Sequence, residues 1–125
     1  MTISKILIVE DDEDIRTVID VVARLVGDWQ VLLAASGAEA LECAKSEQPD
    51  VILLDVMMPG MDGPETLARL RQQTSTARIP VIFLTAKAQK HEVQSYLALG
   101  ANGVIIKPFE AMTLPDEIRR IVADG

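Results

Sequence analysis

Val51-Ile52-Leu53-Leu54-Asp55, running on into Val56-Met57-Met58-Pro59-Gly60-Met61-Asp62-Gly63, is the stretch on which the fold turns. Four consecutive apolar residues without polar alternation read as a strand buried on both faces, which belongs in a parallel sheet. Two further runs share the design: Ile6-Leu7-Ile8-Val9 closes on Glu10 and Asp11, and Val104-Ile105-Ile106 leads into Lys107-Pro108. In an open parallel sheet, groups just past the carboxyl ends of the strands share one crevice, and ligands bind there. Glu10, Asp11 and Asp55 would repel one another in that crevice and require a cation. The pattern therefore predicts a metal site, a carboxylate left over for chemistry and Lys107 beside it.

Outward from these runs, the chain alternates strand and helix. Strand one covers roughly residues 4–9, and a helix follows at about 13–26, with Ile15, Val18, Ile19, Val22 and Val26 at helical spacing and Gly27 as its stop. Strand two is about 30–34. Ser36 and Glu39 form the capping-box pattern for a helix reaching about residue 46. Pro59 to Gly63 is a loop, and Pro64 falls in the first turn of helix three. Ile79-Pro80 opens strand four at Val81, and helix four spans about 89–99 before Gly100. Strand five is about 103–106, and the last helix shows Leu114, Ile118, Ile121 and Val122 on one face, with Pro115 in its first turn. Right-handed crossovers then give an α/β, doubly wound (βα)5 fold with a five-stranded parallel sheet. A flavodoxin-like order 2-1-3-4-5 brings strands one, three, four and five together at the switch point.

Composition bounds the function. The 125 residues fit one domain, 1–125, with 49% hydrophobic but only 3% aromatic residues, so the core is aliphatic. Twelve basic against nineteen acidic residues leave a net charge of −7, which argues against direct contact with nucleic acid or an anionic membrane. No apolar stretch reaches the ~18 residues of a membrane span, and no signal-peptide layout opens the chain. The single cysteine, Cys43, reads as a small apolar residue on a helix, and a reducing cytoplasm is the expected compartment.

The segments Ile8-Val9-Glu10-Asp11-Asp12, Leu53 to Gly63, Phe83-Leu84-Thr85-Ala86 and Ile106-Lys107-Pro108-Phe109 together resemble the receiver domain of two-component response regulators. The match runs the length of the chain, in order. By position, the resemblance implies that Asp55 accepts a phosphoryl group from a phosphohistidine. Glu10, Asp11 and Asp55, with the Met57 backbone carbonyl, would hold Mg²⁺, with Mn²⁺ as a substitute. Thr85 and the Ala86 backbone would be the switch and phosphate-binding groups, and Lys107 the invariant lysine, joined to Pro108 by a cis peptide. The implied protein is a phosphoacceptor switch rather than a turnover enzyme, assisting its own phosphorylation and dephosphorylation. Its implied partners are a sensor histidine kinase or phosphotransfer protein and a downstream effector, with room for a homodimer formed on phosphorylation.

The chemistry asks for these residue types on its own account. A carboxylate attacking phosphorus forms an aspartyl phosphate, and the transfer needs positioning and charge neutralisation more than covalent help. A hard divalent ion and the compact Lys107 ammonium supply positive charge, and Thr85 can donate a hydrogen bond. Asp12, Glu13 and Asp14 read as acids favouring a helix N-terminus. Met57 and Met58 read as side-chain filler, Trp29 as a core-edge ring, and the lone His91 as exposed on helix four. Thr85 also has a duller reading, as an ST-turn. A magnesium-dependent phosphatase would place a second acid two residues after its nucleophile, where Met57 stands. A flavin carrier of the same fold would not place Glu10-Asp11-Asp12 in its phosphate loop.

Two positions depart from the family pattern. Val104 stands where a strand-five aromatic is usual, which points signalling toward the loop after Thr85 and helix four. Lys87, two residues past Thr85, is placed to overlook the site. Helix four, strand five and helix five form the expected readout surface. The reader of that surface is either a separate protein or a further domain of a longer regulator.

Overall fold

Strands and helices alternate without exception in the computed structural model, which describes residues 2–124. In chain order the elements are β1 Lys5–Val9, α1 Glu13–Leu25, β2 Gln30–Ala34, α2 Gly37–Glu47, β3 Val51–Asp55, α3 Gly63–Gln72, β4 Val81–Thr85, α4 Lys90–Ala98, β5 Gly103–Ile106 and α5 Leu114–Asp124. The sheet is parallel, in the order β2-β1-β3-β4-β5. Met1 and Gly125, the ends of the expected domain, lie outside the described residues.

The uninterrupted apolar strands are explained by burial on both faces. Leu7, Val9, Ile52, Leu54, Val81 and Phe83 face a layer that includes Ala40, Ala44, Leu67, Leu70 and Tyr96 of α2, α3 and α4. Ile6, Ile8, Leu53, Ile82, Leu84 and Ile105 face Ile19 and Ala23 of α1 and Ile118 and Val122 of α5. A period of two distributes each strand between two cores. Trp29 is a buried ring at the end of the second core, with the Arg119 guanidinium 4.8 Å over its face.

Helix starts follow the sequence closely. Asp12 caps α1 by accepting hydrogen bonds from the Asp14 and Ile15 N–H groups, with Glu13 and Asp14 in the first turn. Asp62 caps α3 and Pro64 lies in its first turn. Ser36 caps α2, but Glu39 reaches back to the Ala35 N–H at 2.6 Å, one residue earlier than the capping box places it. After α1 the left-handed residue is Asp28 (φ 61°), one past the expected stop at Gly27. A 3-10 turn, Ala111–Thr113, precedes α5 and was not visible in the apolar spacing.

Candidate functional site

Backbone geometry sets the site before any side chain does. Glu10 is held at the end of β1 by its N–H, which donates to the Ala34 carbonyl of β2, and by Arg16, which donates to the Glu10 carbonyl at 2.8 Å. Asp55 is the last residue of β3, and the next residue donates from the Val56 N–H to the Leu84 carbonyl. The start of α3 presses against this point. A Cβ on Gly63 would lie 2.6 Å from the Asp55 carbonyl oxygen and 2.7 Å from the Val56 Cα, so only glycine lets the helix begin there. Lys107 follows β5, its N–H donating to the Thr85 carbonyl, and its peptide bond to Pro108 is cis.

The predicted acids and lysine converge. Glu10, Asp11 and Asp55 each offer an oxygen within 4.8 Å of the others, the one such trio among the described residues. Lys107 Nζ lies 2.9 Å from Glu10 Oε1 and 3.3 Å from Asp55 Oδ1. Glu10 is 1% exposed and Asp55 2%, whereas Asp11 is exposed. Burying Glu10 penalises its charge, and the adjoining Asp55 carboxylate adds to that penalty. Together they outweigh Lys107 and the Asp12 N–H and raise the Glu10 pKa from 4.5 to about 7. Burial acts the other way on Lys107, but its two carboxylate neighbours outweigh it and the ammonium pKa is raised.

This donor set fits a hard divalent cation. Glu10 Oε1 is buried and accepts no hydrogen bond. Lys107 faces it as an ion pair without hydrogen-bond geometry, so the oxygen keeps a lone pair available. Oxygen ligands from carboxylates are what Mg²⁺ takes, completed by water and substrate oxygens.

The remaining predicted residues are placed less simply. Thr85 is 1% exposed, and its Oγ accepts the Lys87 N–H at 2.9 Å, the ST-turn arrangement. Ala86 lies exposed in the same loop. The Met57 N–H donates to Asp55 Oδ1 at 3.3 Å, but its side chain is 60% exposed; Met58 alone is filler, because the turn after β3 sends only one of the two inward. Lys87 and His91 are exposed. Two contributors escaped the sequence reading. Arg16 anchors the Glu10 main chain, and Tyr96 donates its hydroxyl to the Lys87 carbonyl at 3.2 Å. The i, i+3 spacing of Val93 and Tyr96 in helix four was the available signal for the latter.

A doubly wound sheet carrying an acidic trio and a lysine at its switch point defines a class of small signalling domains. The sequence profile of the response regulator receiver domain matches residues 6–119, and the chain belongs to that family. The transcriptional regulatory protein AfsQ1 of Streptomyces coelicolor is 37% identical over 120 residues, covering 96% of this chain and 52% of the relative. The alkaline phosphatase synthesis transcriptional regulatory protein PhoP of Bacillus subtilis is 38% identical over 118 residues, covering 94% and 48%. The chain thus spans about half the length of these curated relatives. Among solved structures, the chemotaxis response regulator CheY4 of Vibrio cholerae superposes with a TM-score of 0.88 at 35% identity, covering 96% of this chain and 99% of that one. The receiver domain of sensor histidine kinase PA1611 from Pseudomonas aeruginosa gives 0.85 at 33% identity, covering 98% and 99%, and holds a magnesium ion in its active-site cleft.

Proposed function

We propose that Asp55 is the phosphoacceptor of a two-component switch. Its carboxylate oxygen attacks the phosphorus of a phosphohistidine, a P–O bond forms as the P–N bond breaks, and the imidazole leaves with the electron pair and takes up a proton. Glu10 and Asp11, with Asp55 and the Met57 carbonyl, would hold Mg²⁺, which when bound neutralises charge on the phosphoryl oxygens. Lys107 stands ready to donate a hydrogen bond to one of those oxygens. The observation that carries this reading is the shared position of Lys107 Nζ, in contact with both Glu10 and Asp55 at the crevice floor. A groove of about 490 Å³, lined by Asp14, Ile15, Val18, Ala86, Lys107 and Phe109 among others, adjoins the site through Lys107 and Ala86.

Function follows from population shift. Phosphorylation replaces the single charge of the Asp55 carboxylate with the roughly two of an acyl phosphate and adds strong acceptor oxygens. Thr85 gains contact with them only by withdrawing its hydroxyl from the Lys87 carbonyl, to which it donates at 3.4 Å, so the loop and α4 move with it. A swing from mostly inactive to mostly active needs about 5.5 kcal/mol, which a few charge-assisted hydrogen bonds at about 1.5–3 kcal/mol each supply. The surface of α4, β5 and α5 then presents the signal to an effector protein or domain. Intact mass after incubation with acetyl phosphate and Mg²⁺ tests the core of this. The protein gains one phosphoryl group and Asp55→Ala gains none; incorporation persisting in Asp55→Ala would overturn the assignment.

A further inference from the structure

Lys87 is gripped from two sides. Its N–H donates to Thr85 Oγ at 2.9 Å, while its carbonyl accepts the Tyr96 hydroxyl of α4 at 3.2 Å and the Thr85 hydroxyl at 3.4 Å. Tyr96 is only 9% exposed, and its ring meets Phe83 edge-on, centroids 5.2 Å apart and planes at 70°. Phe83 lies two residues before Thr85 on β4 and is paired in register with Val104 of β5. The ring beside Phe83 thus comes from helix α4, while the neighbouring strand offers only an aliphatic side chain. Packing against Phe83 would be satisfied by phenylalanine. The hydroxyl adds something packing does not need: a bond to a loop carbonyl.

We propose that Tyr96 is a positioning residue that couples Thr85 to helix α4, doing from the helix what a strand-five ring cannot do here. Thr85 and Tyr96 both bond the Lys87 backbone, so the Thr85 hydroxyl cannot turn toward a phosphoryl group without leaving the Lys87 carbonyl that Tyr96 shares. The Lys87 peptide then reorients, and the Tyr96 hydroxyl loses its acceptor. Helix α4 is released from the loop in the same event. This rests on Asp55 being the phosphoacceptor.

Tyr96 is the sole tyrosine, so biosynthetic 3-fluorotyrosine places a single ¹⁹F probe at the contact. Beryllofluoride with Mg²⁺, as a mimic of the phosphoryl group, is expected to shift that resonance. Tyr96→Phe keeps the ring and removes the bond that favours the resting arrangement. Its apparent affinity for beryllofluoride should rise about fivefold, the worth of one neutral hydrogen bond. A purely structural role would leave that affinity unchanged or weaken it. An unmoved ¹⁹F signal in protein whose intact mass reports phosphorylation, or an unchanged affinity in Tyr96→Phe, overturns the coupling alone. Absence of any phosphoryl gain from acetyl phosphate overturns the phosphoacceptor reading and the coupling with it.

Discussion

Replacing Glu10 by glutamine should erase a specific part of the pH dependence of stability. Glu10 is held in the fold with its pKa raised from 4.5 to about 7, first by burial and then by Asp55. A raised carboxyl pKa contributes stability that is fully present below the unfolded value and lost as pH rises through the folded one. Across that window the difference corresponds to roughly 3 kcal/mol. Every other titrating group is common to both proteins, so the stability difference between wild type and Glu10→Gln reports Glu10 together with its coupling to Asp55 and Lys107. At pH 4 the two should unfold alike. By pH 8 without divalent cation, wild type should be the less stable by roughly 3 kcal/mol, on the order of 10 °C in melting temperature for a chain of this size. Mg²⁺ at about a hundred times its Kd should return about 2.7 kcal/mol to wild type, and much less to the variant, which lacks one of the proposed ligands. Thermal unfolding followed by circular dichroism in chelator and in Mg²⁺ measures all of this. A wild-type-minus-variant difference that stays flat from pH 4 to 8 would refute the reasoning.

Lys107→Met leaves Glu10 and Asp55 without their ammonium and should cost roughly 1–3 kcal/mol at neutral pH in urea denaturation. The same change removes a positive charge from the metal's surroundings, so calorimetry should show Mg²⁺ binding about fivefold tighter while phosphorylation by acetyl phosphate slows. Gly63→Ala drives a methyl group into the Asp55 and Val56 backbone and should cost roughly 1–3 kcal/mol. It should also weaken Mg²⁺ binding, since the contact displaces the end of β3; unchanged ion affinity would contradict that placement. Arg71 donates to the carbonyls of Ala77, Ile79 and Gly100 and to the Asn102 side chain. Arg71→Ala should lose roughly 2–4 kcal/mol by chemical denaturation, and Arg71→Lys should recover little, because a single ammonium cannot span the planar fork.

The sheet was legible because its strands are buried on both faces and so carry continuous apolar runs, such as Val51 to Leu54, that no exposed element would carry. The acidic trio and Lys107 were legible for a related reason: each directly follows a strand, and parallel strands end at one edge. What lay beyond reach depends on contacts distant in sequence or on torsions that composition does not encode. Arg71 meets Gly100 and Asn102 across about thirty residues, a pairing no periodicity announces. The inward turn of Met58 and outward turn of Met57 follow from how the chain leaves β3. Thr85 was recognised as a candidate, but whether its hydroxyl faces the loop or the crevice is a matter of one rotamer. A tyrosine on an amphipathic helix reads as packing until its hydroxyl is seen to reach a loop carbonyl, as that of Tyr96 does.

Arg71 makes the two ends of the molecule mechanically unequal. It ties the Ile79 carbonyl ahead of β4 and the Gly100 carbonyl behind α4 into one cluster at the edge of the sheet remote from Asp55. At the opposite edge the loop leading into α4 hangs on a few isolated hydrogen bonds. If α4 moves on phosphorylation as proposed, it acts as a lever with its fulcrum at its carboxyl end. Its amino-terminal turn must sweep furthest, so a partner gripping that turn would feel the largest stroke.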